Sequence, residues 1–223
     1  MEKFPSKTMI TKHIFEILKL DVLPEINNDK WSMADSGGCE CEVGEFLYGF
    51  MRMFKPERIL ETGLYSAIST IYMAMALRDN GFGHIETIEY EREHIKRSKE
   101  RLVKLGVGNF VTIHEESSLN FMPSCNFDIM FLDTEPQIRF KELINFYPYL
   151  NRGGFVFIHD LPNTWCQGNV NPDHPDMPSW PWGDCPQQIK DWVNDRELVP
   201  WNFPSPRGLS GLYRPRENDY KFI

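Results

Sequence analysis

The sequence is poor in several features that would place it at once. No apolar run approaches the roughly 20 residues that a membrane-spanning helix needs, and Met1 to Leu20 carries lysines throughout without a continuous apolar stretch, so it does not read as a secretory leader. Positive charge is scarce. There are 24 Lys and Arg against 32 Asp and Glu, a net charge of −8, which argues against nonspecific binding to a nucleic-acid backbone. The five cysteines are an odd number, and without an export signal they read as thiols rather than a disulfide framework. Cys39-x-Cys41 with Cys166, Cys185 and His174 matches no compact zinc module. Internal repeats and low-complexity tracts are also lacking.

What is present is ordinary for a globular protein: 41% apolar and 25% charged residues in a chain of 223, enough for one domain with a full core. The composition fits a cytoplasmic protein with a small-molecule substrate, no nucleic acid and no membrane. Residues 1–54 read as an amphipathic helical cap, with Ile10, Ile14, Ile17 and Leu18, and then Phe46, Leu47, Phe50 and Phe54, at helical spacing. A polar bend at 34–38 separates the two helices.

From residue 55 a strand–helix alternation begins and runs to 161. Strands are predicted at 58–62, 84–89, 110–114, 127–132 and 155–158, the last entered through a Gly153-Gly154 turn. The intervening helices are predicted at 67–78, 91–105 (closed by Gly106) and 136–150. Such alternation specifies an α/β fold: a Rossmann-like, doubly wound, mostly parallel sheet. A helix at 186–193 and strands at 197–203 and 209–213 would complete seven strands with an antiparallel edge pair. The segment 162–206 holds five of the six tryptophans (Trp165, Trp180, Trp182, Trp192, Trp201) and reads either as an aromatic substrate lid or as a satellite core or subunit interface.

In open α/β sheets, ligands bind beyond the carboxyl ends of the strands. Those ends carry carboxylates in this chain: Glu61, Glu89, Glu115-Glu116, Asp133 and Asp160. Glu89, at the end of the second strand, is placed to accept both hydroxyls of a ribose, and Gly63 lets the backbone approach a ligand closely. A dinucleotide site would want G-x-G-x-x-G. Gly63, Tyr65 and Ile68 stand at those positions, so the pyrophosphate cradle is missing and a nucleoside without phosphate fits better.

Five segments in order then resemble class I S-adenosylmethionine-dependent methyltransferases, in particular the catechol and caffeoyl-CoA O-methyltransferase group and related sugar and macrolide O-methyltransferases. They are CEVGEFL, ILETGLYSAIST, HIETIEYERE, FDIMFLDTE and YLNRGGFVFIHD, spread over residues 42–161. The resemblance implies S-adenosylmethionine as cofactor and methyl transfer to an oxygen of a small acceptor. It implies that Glu61, Gly63, Tyr65 and Ser69 line the methionine end, that Glu89 holds the ribose, that Tyr90 and Ser118 border the adenine, and that Asp133 sits near the transferred methyl. By analogy with the family, a homodimer is the expectation the resemblance adds. Catechol-type enzymes hold magnesium with two aspartates and an asparagine. Asp133 and Asp160 match the aspartates, Leu161 stands at the asparagine position, and the family's catalytic lysine is replaced by Pro136. Two routes to deprotonating an acceptor remain open: His159 as the base, or a divalent cation such as Mg held by Asp133 and Asp160. The rival readings are a non-catalytic binding or assembly module on the same fold and a metal-dependent hydroxylase-like relative.

Overall fold

The computed structural model describes residues 8–22, 32–35, 37–161, 185–196, 198–203 and 208–219. They group into two compact units, Met1–Ser117 and Ser118–Ile223.

In the first unit, helices α1 (Met9–Leu18) and α2 (Cys41–Phe54) precede a run of strand β1 (Arg58–Thr62), helix α3 (Ile68–Asn80), strand β2 (His84–Glu89), helix α4 (Arg92–Lys104) and strand β3 (Val111–Glu115). The strand order is β3-β2-β1. Both pairings are parallel, with Arg58 opposite His84 and Ile85 opposite Val111, so each connection needs a crossover helix. Helix α3 is buried from Ile68 to Leu77, as expected of a helix that is apolar on every side. It packs against both α2 and β2. The Tyr72 ring carries its hydroxyl to Thr11 Oγ1 at 2.7 Å, tying α3 to α1, and burial pushes that phenol's pKa up, so it stays neutral. Helix α4 buries only Ile95, Ser98 and Leu102 and leaves its charged face in water.

In the second unit, strand β4 (Phe127–Leu132), helix α5 (Arg139–Phe146), strand β5 (Leu150–His159), helix α6 (Cys185–Asn194) and strands β6 (Val199–Phe203) and β7 (Leu209–Tyr213) follow in order. β4 and β5 pair in parallel, β5 with β7 and β7 with β6 in antiparallel. The seven strands make the doubly wound, mostly parallel sheet with an antiparallel edge pair that the sequence predicts.

Several boundaries differ from expectation, each for a local reason. Helix α5 starts three residues after Pro136, which lies in a turn where the Ile138 N–H bonds to Glu135 O at 3.1 Å. It ends at Phe146 because Pro148 has no N–H to continue the ladder, and one 3-10 turn spans Tyr147–Tyr149. Strand β5 begins at Leu150, so Gly153-Gly154 lies inside it, where the pairing with β4 jumps from Phe127–Leu150 to Ile129–Phe155. The 3-10 turn Gly108–Phe110 takes the residue that was expected to open β3.

Of the tryptophans in 162–206, Trp165, Trp180 and Trp182 lie outside the described residues, as do Cys166 and His174. Trp192 meets Tyr147 edge to face at 4.9 Å and lies under the Arg196 guanidinium. Trp201 stacks on Phe155 at 5.4 Å. These two are packing residues of the second unit. Cys39 and Cys41 are buried and Cys125 is partly exposed. No described helix is long and apolar enough to cross a membrane.

Candidate active site

Two groups of the predicted residues are assembled, one in each unit. The first surrounds the loop between β1 and α3. Gly63 sits at φ 85, a left-handed conformation natural to glycine, and its N–H bonds to Ile88 O at 3.0 Å, which folds the loop back over β2. Tyr65 (φ 41) and Ala67 (φ 60) are also left-handed although they carry side chains, so this short loop concentrates backbone strain.

Two carboxylates hold it. Glu61, fully buried at the end of β1, accepts hydrogen bonds from Ser69 Oγ at 2.7 Å and Thr70 Oγ1 at 2.6 Å, both in the first turn of α3. Glu89, at the end of β2, accepts the backbone N–H groups of Tyr65, Tyr90 and Glu91, each at 2.9 Å, with His94 Nδ1 3.5 Å away. The Glu89 carboxylate therefore also fixes the strained loop. The Tyr65 ring meets His94 edge to face at 4.7 Å, lies 5.0 Å from the Arg97 guanidinium, and packs so close to Gly37 that a Cβ there would stand 2.5 Å from the ring. Ser98 Oγ and Arg101 donate to the carbonyls of Tyr65 and Ser66 at 2.9 and 2.7 Å. Burial lowers the Arg101 pKa from its ordinary value, and the opposing Asp35 carboxylate lies 3.7 Å away. Tyr90 is exposed at the rim of this group.

The second group lies where β4 and β5 end. Asp133, His159 and Asp160 offer ligand atoms within 4.8 Å of one another. His159 Nδ1 is 2.9 Å from Asp133 Oδ1 and 3.5 Å from Asp160 Oδ1. The His159 side chain is fully enclosed, whereas that of Asp133 is 12% exposed, so Asp133 is the member open to a ligand. Asp160 is held at φ 56. Ser118, the first residue of this unit, is buried.

Sequence reasoning missed the residue at the centre of this group. Arg139, 1% exposed, sends Nη2 to Asp133 Oδ1 and to Asp160 Oδ2, both at 3.2 Å, and donates to the backbone carbonyls of Thr134 and His159. The signal was available: Arg139, Glu142, Leu143 and Phe146 form the buried stripe of α5 at helical spacing, and a charge at an apolar position asks for a partner. The donor set would suit a hard divalent cation by type, but both carboxylates already face a guanidinium that would repel one, so these residues do not fit a metal ion. Thr70 was also missed; it is the second hydroxyl on Glu61.

Residues 60–161 match the model of a methyltransferase domain, the interval that contains both groups of strand-end carboxylates. The chain is 27% identical over 139 residues to a catechol O-methyltransferase of Niastella koreensis, covering 58% of this chain and 62% of that one. Among solved structures it is similar to the O-methyltransferase TomG of Streptomyces achromogenes, involved in tomaymycin synthesis and crystallised with S-adenosylmethionine. That likeness has a TM-score of 0.63 and 21% identity, over 92% of this chain and 87% of that one. It is similar also to a methyltransferase of Podospora anserina bound to S-adenosylhomocysteine, at a TM-score of 0.63 and 20% identity, over 93% and 94% of the two chains. The matched methyltransferase domain, the strand order within each unit and the acidic strand ends agree with a Rossmann-like fold similar to that of O-methyltransferases.

Proposed function

We propose that this enzyme transfers the methyl group of S-adenosylmethionine to an oxygen of a small-molecule acceptor. The observation that carries the reading is the loop at Gly63, flanked by the buried carboxylates Glu61 and Glu89 and lying inside the matched methyltransferase domain. Both carboxylates are oriented by hydrogen bonds from N–H and O–H donors, an arrangement that suits a cationic, hydroxyl-rich ligand. The cofactor-bound states of the similar proteins support the same ligand.

In this reading Glu61, Gly63, Tyr65 and Ser69 hold the methionine end of the cofactor, with Tyr65 contributing backbone because its ring is engaged by α4. Glu89 holds the ribose, and Tyr90 and Ser118 border the adenine. The bound cofactor supplies an electrophilic methyl on a sulfonium. The protein must hold the acceptor oxygen in line behind that methyl and remove its proton. Asp133 meets the acceptor hydroxyl, and the proton passes to the Asp133–His159 pair as the new C–O bond forms and the C–S bond breaks. Asp160 and Arg139 keep the pair in place.

Isothermal titration calorimetry with S-adenosylhomocysteine is the first test, and micromolar one-site binding is expected. Transfer of labelled methyl from S-adenosylmethionine to a panel of phenols and sugar alcohols then reads the reaction. A folded protein that takes up no S-adenosylhomocysteine at millimolar concentration sinks the proposal.

A further inference from the structure

We infer that Arg139 is the resident cation of the Asp133–His159–Asp160 cluster, standing where these donors would otherwise gather a divalent ion. The inference deepens the reading of this cluster as the acceptor-activating site, but its test reads metal binding rather than methyl transfer. Three observations carry it. First, one guanidinium nitrogen lies 3.2 Å from a carboxylate oxygen of Asp133 and 3.2 Å from one of Asp160, the two residues whose charge a metal would need. Second, the guanidinium is fixed rather than a visiting surface group: it is 1% exposed and anchored on the carbonyls of Thr134 and His159, beyond β4 and at the end of β5. Third, it stays there although its Nε finds no hydrogen-bond partner among the described residues, which a buried donor accepts only where its other bonds are strong.

The chemistry follows. One guanidinium between the two carboxylates offsets half of their charge without a bound ion. An incoming dication would have to displace Arg139 from four acceptors or sit against its positive charge. The guanidinium orients Asp133 and offsets the negative charge of the acceptor oxygen as it loses its proton.

Manganese binding to the full chain, read by loss of the free Mn²⁺ signal in electron paramagnetic resonance, tests this. The wild type is expected to bind no Mn²⁺ at the cluster at millimolar concentration, and Arg139→Met to gain a site at least tenfold tighter that Asp160→Asn removes. A stoichiometric wild-type site that Asp133→Asn or Asp160→Asn abolishes overturns the inference. Mn²⁺ uptake indifferent to both substitutions lies elsewhere and supports it. Where Arg139→Met does not fold, the wild-type titration with its aspartate controls still decides. The two proposals fail separately: binding of S-adenosylhomocysteine together with Mn²⁺ at the cluster overturns only the cation assignment, and binding of neither overturns only the methyl-transfer reading.

Discussion

The two units treat their strand-end carboxylates in opposite ways. In the first, Glu61 and Glu89 accept hydrogen bonds from hydroxyls and backbone amides. In the second, Asp133 and Asp160 share a guanidinium and an imidazole. Neutral donors orient a carboxylate and leave its charge to act on something else, whereas a cationic partner cancels the charge while fixing the geometry. The contrast teaches that acids at equivalent strand ends are not interchangeable. In the proposed reading the first pair faces a cationic ligand, and the second has part of its charge offset from within the protein.

The largest blow to this contrast is removal of the cation. Arg139→Met leaves two carboxylates facing each other in the interior and should cost about 3–5 kcal/mol in urea unfolding. Arg139→Lys keeps the charge but not the fork of donors and should lose less; equal losses would mean that packing rather than charge is at stake. Next is Glu89→Ala, which takes the acceptor from three backbone amides and, in the proposed reading, from the ribose. Affinity for S-adenosylhomocysteine is expected to fall roughly 100-fold in calorimetry, on the scale of losing hydrogen bonds to a charged group. Retained affinity would show that Glu89 serves the loop alone. Thr70→Val is smaller: it removes one hydroxyl from Glu61 without changing shape, with an expected loss of about 1.5 kcal/mol in thermal or urea unfolding.

The smallest effect is a pH dependence outside both groups. Burial holds the His84 imidazole below its ordinary pKa, with Thr112 Oγ1 2.8 Å from its Nε2. A histidine harder to protonate when folded contributes fully above its unfolded pKa of about 6.5. That contribution is lost as the pH falls below this value. The melting temperature of the wild type should drop between pH 7 and 5 slightly more than that of His84→Gln; identical slopes would contradict the assignment.

Much of this was legible in the sequence, and the exceptions are instructive. β1, β2, β4 and β7 have the bounds read from the chain, because short apolar runs ending in an acid or a turn residue leave little choice of register. Helix α5 was read too long at both ends because periodicity alone does not register that Pro136 lies in a preceding turn or that Pro148 ends the ladder. In the site, Glu61, Glu89, Asp133, His159 and Asp160 were legible as strand ends. Arg139 was passed over, since a charged residue in a helix reads first as a solvated face, although its spacing with Leu143 and Phe146 puts it on the apolar stripe. The double duty of Glu89 was hidden for a related reason: backbone amides leave no trace in side-chain spelling.

Arg139 joins the carbonyls of Thr134 and His159 as well as the two aspartates. An ion bound from solution can be stripped by a chelator or exchanged for a competitor when supplies change. A guanidinium carried on α5 is delivered once, by translation, in fixed stoichiometry. On that proposal the positive charge of the cluster does not depend on the metal supply around the protein.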